Sequence, residues 1–285
     1  MQCGKSAGTL ALATALSVLS VAVAAKAQEA KRYPDWNTLW DRGSPPGVWD
    51  PSKPAGPGQQ APLTAEYQKV YEENLAKMKS GANYDIKETC GPVGMPRLMT
   101  AYEPIEIVIT PKVVYMLAES ASPIRRIWTD GRDWPKDVDP SFVGYSIGKW
   151  IDSANTGTYD TLEVETRDMK GPRLFESTGI PLASDNSTVV KEKLYLDKAN
   201  PDILRDEITT YDNALSKPWT VSRFMKRDRN PVFEEYSCTE ENRWLVIGGQ
   251  MYLTDNDGYI MPIQKNQPPP DPKYFQKYFK QPKTQ

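Results

Sequence analysis

The chain has 285 residues, 39% hydrophobic content, 25 prolines and a formal net charge of −2. This length suffices for one large domain or two small ones, and the balanced charge excludes the basic footprint of a nucleic-acid-binding protein. The sequence has no histidine, which excludes Ser-His-Asp triads, Cys-His dyads and histidine-ligated metals together.

Residues 1–27 have the pattern of a secretory signal peptide. Lys5 stands in a short basic region, residues 9–24 are apolar, and Ala25-Lys26-Ala27 fits the small-x-small cleavage pattern. The pattern predicts cleavage after Ala27, a mature chain without a membrane span, and a periplasmic or secreted protein. An uncleaved anchor is the alternative.

Removal of this leader leaves Cys90 and Cys238. An isolated pair in an oxidising compartment is often bridged, so we expect a disulfide; two buried free thiols are the alternative. Two cysteines without a histidine cannot build a Cys/His zinc site, and we expect no metal.

Residues 28–62 are rich in proline, glycine and tryptophan. This composition predicts an irregular arm, which Trp36, Trp40 and Trp49 would hold against the main body.

One convincing helix follows at residues 64–80. Thr64 can cap its first turn, and Gly81 can end it. An apolar stripe at helical spacing predicts packing against the core, and it consists of Tyr67, Val70, Tyr71, Leu75 and Met78.

From residue 86 onward the pattern is β, with no helix between strands. A mainly β fold is therefore predicted, an antiparallel lipocalin-like barrel or strongly curved sheet within a single domain at 63–262. A hairpin turn is expected at 255–258, and a Pro-rich aromatic tail at 263–285. The predicted strands cover 105–109, 112–119, 124–129, 142–151, 159–166, 188–197, 203–212, 219–226 and 232–239.

Polar side chains interrupt the apolar face of several predicted strands. Such a lining has the ingredients of a small-molecule site, and burial would make a carboxylate a candidate general acid or base. Cross-strand ion pairs, Glu192 with Arg223 or Asp206 with Arg126, are the alternative, and the tyrosines would then be ordinary core aromatics. The candidates are Glu192, Asp206, Arg223, Arg126, Tyr115 and Tyr145, with Trp219 nearby.

Three segments stand out as motifs: CGPVGMPRLM (90–99), IRRIWTDGRDWPKDVDPSFVGYSIGKW (124–150) and EEYSCTEEN (234–242). With these motifs the chain resembles a family of exported, β-rich proteins of sphingomonad and soil bacteria. Some members are similar to cofactor-free decarboxylases of lignin-derived phenylpropanoid acids. The family usually has a histidine in place of Tyr145, and often another near Ala183 or Ser184.

The resemblance implies an exported lyase that decarboxylates an aromatic acid without a cofactor. Glu192 would be the acid/base, Tyr145 and Tyr115 would bond the phenol or carboxylate, and Arg126 and Arg223 would orient the anion. Asp206 and Trp219 would complete the substrate site.

Two other functions remain open: a periplasmic lipocalin-like binding protein for an apolar or aromatic small molecule, and an assembly protein that docks through the arm and tail. Homo-oligomerisation is also left open.

Overall fold

A computed structural model describes residues 32–45, 47–50, 52–54, 59–101, 104–118, 124–233, 238, 243–255 and 257–274. The predicted leader, residues 1–27, lies outside this part of the chain. Nine strands form a closed barrel, and a separate three-stranded sheet follows it in sequence. The predicted mainly β, lipocalin-like barrel is therefore confirmed.

The barrel strands are β1 Thr38–Arg42, β2 Ile105–Ile109, β3 Val113–Ala118, β4 Arg125–Trp128, β5 Tyr145–Ile151, β6 Thr161–Arg167, β7 Val189–Leu196, β8 Ile203–Tyr211 and β9 Trp219–Arg227. The second sheet contains β10 Trp244–Ile247, β11 Gln250–Thr254 and β12 Ile260–Pro262. The helices are α1 Ala65–Ser80 and α2 Arg97–Ala101, and the 3₁₀ helices are Ile86–Thr89 and Pro272–Tyr274.

Each barrel strand pairs with its neighbours in chain order, and β9 closes the ring against β1. All pairs are antiparallel except β4 with β5, which run parallel with Ile127 opposite Ser146. The barrel is therefore mixed, and the expectation of a purely antiparallel sheet is wrong at this one pair. A parallel neighbour requires a connection that returns to the starting end of the sheet, and residues 129–144 provide it.

The barrel interior is filled by alternate residues of each strand, as period-two side-chain alternation requires. Apolar side chains from facing strands pack there, and they include Ile107, Met116, Ile127, Leu162, Leu194 and Ile208. Gly148 lies on the inward face of β5, where an added Cβ would come within 2.6 Å of Ile127 Cγ2. The barrel is thus packed closely with side chains at this level.

The predicted irregular arm contains a barrel strand. β1 lies inside residues 28–62 and pairs with both β2 and β9, so this part of the arm is regular. The expected role of its tryptophans is confirmed, because Trp36, Trp40 and Trp49 are all buried.

Helix α1 has the predicted bounds and caps. The Thr64 hydroxyl accepts a hydrogen bond from the Tyr67 N–H, and Gly81 ends the helix with a φ of 69°. The predicted core-packing stripe is wrong for the second half of the helix, because Leu75 and Met78 are 40% and 38% exposed. Asn74 is the buried residue of this helix, and its amide donates to the Gly179 carbonyl at 2.9 Å.

The C-terminal part departs most from the prediction. Residues 232 and 233 of the predicted strand 232–239 are not in a strand, and most of its remaining residues lie outside the described part. The expected turn joins β11 to β12, with the Gly258 N–H donating to the Asp255 carbonyl at 3.2 Å. Cys90 and Cys238 form the predicted disulfide, with 5.7 Å between their Cα atoms.

Candidate functional site

The barrel interior contains a buried ion pair. Arg125 on β4 and Glu192 on β7 are 1% and 4% exposed, and both guanidinium Nη atoms donate to the Glu192 carboxylate. Arg125 Nη2 also donates to the Thr166 hydroxyl at 3.0 Å, and that hydroxyl contacts the Ser146 hydroxyl at 2.8 Å. Every strand from β4 to β7 therefore contributes one polar side chain to this cluster.

Asp206 on β8 lies inside the same barrel and is fully buried. Neither of its carboxylate oxygens has a hydrogen-bond partner. Burial, reinforced by the nearby negative charge of Glu192, raises the pKa of Asp206 well above its ordinary value of 3.8. Burial therefore favours the protonated, uncharged form of the Asp206 carboxyl group.

Arg223 on β9 is directed toward the N-terminal segment. Its guanidinium donates to the carbonyls of Pro45, Val48 and Thr100 at 3.2, 3.2 and 2.8 Å, and it lies 5.3 Å from the centre of the Trp49 ring. Arg223 thus holds the segment before α1 against the barrel, which the sequence did not predict.

Four of the predicted site residues point inward as expected: Glu192, Asp206, Arg223 and Trp219. Their pairing differs from either predicted ion pair, because Glu192 is bound to Arg125. Both carboxylates are enclosed by barrel side chains. The side chains of Glu192 and Asp206 are therefore shielded from solvent.

The other three predicted residues lie on the outside of the barrel. Arg126 is exposed, and its guanidinium lies 5.9 Å from the ring centre of Tyr115. Tyr145 is half-buried and accepts a hydrogen bond from Arg132 at 3.3 Å. Their expected place on the apolar lining was wrong, because strands β3, β4 and β5 present their alternate residues to the interior. Tyr145 and Glu192 thus lie on opposite sides of the sheet.

Arg125 is the interior residue that sequence reasoning missed. The run Arg125-Arg126-Ile127-Trp128 has one arginine and one apolar residue on each face, so alternation alone does not distinguish the faces. The useful signal was Glu192 on the apolar face of β7, since a buried carboxylate requires a cation inside the barrel.

The outer face of β5–β8 forms an open groove of about 460 Å³ beside Trp134. Its floor carries lysines and glutamates in alternation. Lys191 lies 3.3 Å from Glu165, and the Tyr195 hydroxyl donates to Glu207 at 2.7 Å. Interspersed charges of both signs are typical of a solvated sheet face. We therefore do not place the site here.

A more enclosed pocket of about 240 Å³ lies between the N-terminal segment, helix α1 and the loop after Phe175. We call it the aromatic pocket. Trp49 and Tyr71 contribute its two aromatic side chains, and Ala61, Leu63 and Ile180 are the aliphatic ones. Amides and a hydroxyl complete the lining, from Gln59, Gln60, Gln68 and Thr178, with Gly47.

The wall of the aromatic pocket that the N-terminal segment forms is fixed to the barrel. Trp49 packs edge-on against Trp219, with ring centres 5.5 Å apart, and its carbonyl accepts from the Ser222 N–H of β9 at 2.7 Å. The Gln59 side chain bonds the backbone N–H groups of Trp49 and Asp50 at 2.6 and 2.8 Å. This wall is thus held by backbone and side-chain bonds together.

The other two walls, helix α1 and the loop after Phe175, are hydrogen-bonded to each other. Asn74 of α1 bonds the Gly179 carbonyl, which holds residues 178–180 against the helix. The Thr64 N–H donates to the Ala214 carbonyl at 2.9 Å, which fixes the start of the helix to the loop before β9. The walls of the pocket are therefore fixed relative to one another by hydrogen bonds.

Two polar groups of the aromatic pocket are suited to a neutral ligand. The Thr178 hydroxyl is buried without a hydrogen-bond partner. Burial, reinforced by the nearby Glu176, raises the pKa of Tyr71 above 10.0, so the phenol keeps its proton at neutral pH. Among the described residues that line the pocket, no side chain is charged.

Comparisons of the chain with protein-family models, curated proteins and solved structures found no match. The family resemblance and the decarboxylase activity it implies therefore remain predictions. Within the described residues, no cluster of three or more histidine, cysteine, aspartate or glutamate side chains could hold a metal ion. No helix in this part of the chain is long and apolar enough to cross a membrane.

Proposed function

We propose that this protein binds a small, single-ring aromatic molecule in the aromatic pocket and releases it unchanged. The observation that carries the proposal is the pocket of about 240 Å³ that Trp49 and Tyr71 line. Ligand sites are concave and mostly apolar, with a few placed polar groups. This pocket has that composition.

The size and charge of the pocket narrow the ligand class. Pockets for drug-sized molecules have volumes of roughly 300–1,000 Å³, so a volume of about 240 Å³ suits one ring with short substituents. The uncharged lining favours a neutral molecule, and the Thr178 hydroxyl and the amide of Gln68 suit its hydroxyl group. A phenol or an aryl alcohol meets these requirements.

A lyase acting on an aromatic acid is the function that the family resemblance implies, and the geometry supports it less well. Acid/base catalysis requires the proton-transferring group within hydrogen-bond reach of the substrate. Glu192 is enclosed in the barrel with Arg125, whereas Tyr145, Tyr115 and Arg126 lie outside. Binding without conversion does not require a proton-transferring group beside the ligand.

Export is part of the proposal. The Cys90–Cys238 disulfide is of the kind that persists in oxidising compartments such as the periplasm. A periplasmic binding protein would meet small aromatic molecules before they enter the cell.

The test is calorimetric titration of the purified protein with 4-hydroxybenzyl alcohol and with 4-hydroxycinnamic acid, whose conjugated double bond provides the electron sink that cofactor-free decarboxylation requires. We expect saturable binding of both probes, with the neutral alcohol at least as tight as the acid, because none of the described residues that line the pocket is a cation. Mass spectrometry of each recovered probe should show an unchanged mass. Loss of carbon dioxide from the acid would instead establish the lyase.

Two variants locate the binding. Ala61→Phe fills the pocket and should abolish the heat of binding, whereas Ala76→Phe makes the same change on the exposed face of α1 and should preserve it. Unaltered binding in the Ala61→Phe protein would show that the ligand binds elsewhere. Circular dichroism of both variants checks that each is folded.

A further inference from the structure

A second, smaller pocket contains two buried arginines. Its volume is about 50 Å³, and the 3₁₀ helix Ile86–Thr89, helix α2 and residues 172–174 contribute to it. Arg97 and Arg173 line it, together with apolar groups of Ile86, Val93, Pro172 and Leu174. We call it the arginine pocket, and its described lining shares no residue with the aromatic pocket.

The two arginines differ in how their charges are balanced. Arg97 makes a bidentate ion pair with Asp85, with nitrogen–oxygen distances of 2.8 and 2.7 Å. Such fork-to-fork geometry matches one guanidinium to one carboxylate. The pair therefore contributes little net charge to the pocket.

Arg173 is 6% exposed, and its bonds leave much of its guanidinium unused. Nη2 donates to the Ala183 carbonyl at 2.8 Å and to the Thr188 hydroxyl. Nε and Nη1 have no hydrogen-bond partner. Since buried polar groups are nearly always paired, three N–H bonds of one cation without an acceptor indicate that an acceptor is missing.

The carboxylate nearest to Arg173 does not fill this role. Asp212 Oδ2 lies 3.9 Å from Arg173 Nη2 and accepts from the Thr188 hydroxyl at 2.5 Å. Its Oδ1 accepts from the N–H groups of Ala183 and Ala214 at 2.9 and 2.8 Å. Asp212 thus compensates part of the charge of Arg173, while the N–H bonds of Nε and Nη1 stay unused.

We propose that the arginine pocket binds the carboxylate group of a small monocarboxylic acid, with Arg173 Nε and Nη1 as the donors. A water needs roughly 10–15 Å³ of such space, so about 50 Å³ holds a carboxylate group rather than a whole aromatic acid. The apolar groups of Ile86, Val93 and Leu174 suit the carbon chain of the acid. One arginine without a matched partner suits a single negative charge better than a doubly charged phosphate.

The first test measures thermal unfolding of the full chain in sodium acetate, sodium chloride and sodium phosphate at equal ionic strength. Acetate should raise the unfolding temperature in a saturable way and more than chloride does. Equal effects of acetate and chloride would contradict the site. A larger and saturable effect of phosphate would contradict the carboxylate assignment.

Two variants of one residue test whether acetate binds at the arginine pocket. Ile86 is half-buried at the pocket. Ile86→Glu places a negative charge there and should weaken acetate binding about tenfold or more, as loss of a charge-assisted hydrogen bond would. Ile86→Gln has the same size without the charge and should bind acetate nearly as well as the unsubstituted protein. Equal acetate binding in both variants would overturn the proposal.

A nuclear magnetic resonance measurement covers the case in which Ile86→Glu does not fold. In the unsubstituted protein, acetate should shift the Nε–H resonance of Arg173, assigned by its loss in Arg173→Lys. Chloride at the same concentration should leave this resonance in place. An Nε–H resonance that is insensitive to acetate would exclude Arg173 as the donor.

Discussion

Arg125 and Glu192 form a buried ion pair inside a packed barrel. Breaking a buried pair by removing one partner typically costs about 3–5 kcal/mol, because the remaining charge stays buried. Removal of Arg125 leaves Glu192 without its partner in an interior that also holds the buried carboxyl group of Asp206.

The Arg125→Met protein should therefore lose about 3–5 kcal/mol of unfolding free energy, measured by urea denaturation. The matched control is Arg125→Met with Glu192→Leu, which removes both charges and should recover most of that loss. A double variant no more stable than the single one would show that the charge left on Glu192 is not the cause.

Asp206 should make the stability of the protein depend on pH. Its folded pKa is raised well above 3.8, so the folded state keeps the proton at pH values where the unfolded chain has lost it. The contribution of this group is therefore fully present below about pH 4 and is lost as pH rises toward the folded pKa, by up to about 1.4 kcal/mol per pH unit.

Replacement by asparagine removes this titration while it keeps the shape of the side chain. From pH 4 to 7, the unfolding free energy of the unsubstituted protein should fall relative to that of Asp206→Asn. The measurement is urea denaturation of both proteins at each pH. A difference that is constant over this range would contradict a neutral Asp206.

At the level of elements, helix α1 owes its first turn to Thr64. The Thr64 hydroxyl bonds the Tyr67 N–H at 3.3 Å, and removal of such a cap costs about 1 kcal/mol. Thr64→Ala should lower the unfolding free energy by that amount in urea denaturation. Thr64→Ser keeps the hydroxyl, and its loss of unfolding free energy should be less than about half of that in Thr64→Ala. Equal losses in both variants would exclude the cap as the cause.

The strands and this helix could largely be predicted from sequence, because their signals are local. Ile105, Ile107 and Ile109 alternate with other residues on β2, and Thr64 and Gly81 mark the ends of α1. β1 was missed because its five residues, TLWDR, carry a weak alternation inside a Pro- and Trp-rich stretch. The closure of the barrel by β1 depends on long-range pairing with β2 and β9, which no local pattern encodes.

The candidate sites were much harder to predict. The face of β4 was ambiguous because its arginines are adjacent, and the two pockets are built from loops and helix ends, which have no side-chain period. Trp49 was expected to hold the arm against the barrel and Tyr71 to pack in the core, so neither was expected to line a pocket. The unpartnered groups of Arg173 and Thr178 are visible only once their neighbours are placed.

For the whole molecule, the Cys90–Cys238 disulfide joins residues 148 positions apart. In the chain-entropy account, a loop of this length stabilises by about 5 kcal/mol, because it restricts the unfolded chain. The double variant Cys90→Ser with Cys238→Ser should lose stability on this scale in urea denaturation. A loss below about 1 kcal/mol would show that the unfolded chain gains little freedom when the bridge is absent.

The most direct test of the proposed function is a crystal structure of the protein grown with 4-hydroxybenzyl alcohol. We expect electron density for one ring between Trp49 and Tyr71, with the ligand hydroxyl within hydrogen-bond distance of the Thr178 hydroxyl. An empty aromatic pocket under saturating ligand, or a ring bound inside the barrel beside Asp206, would contradict it.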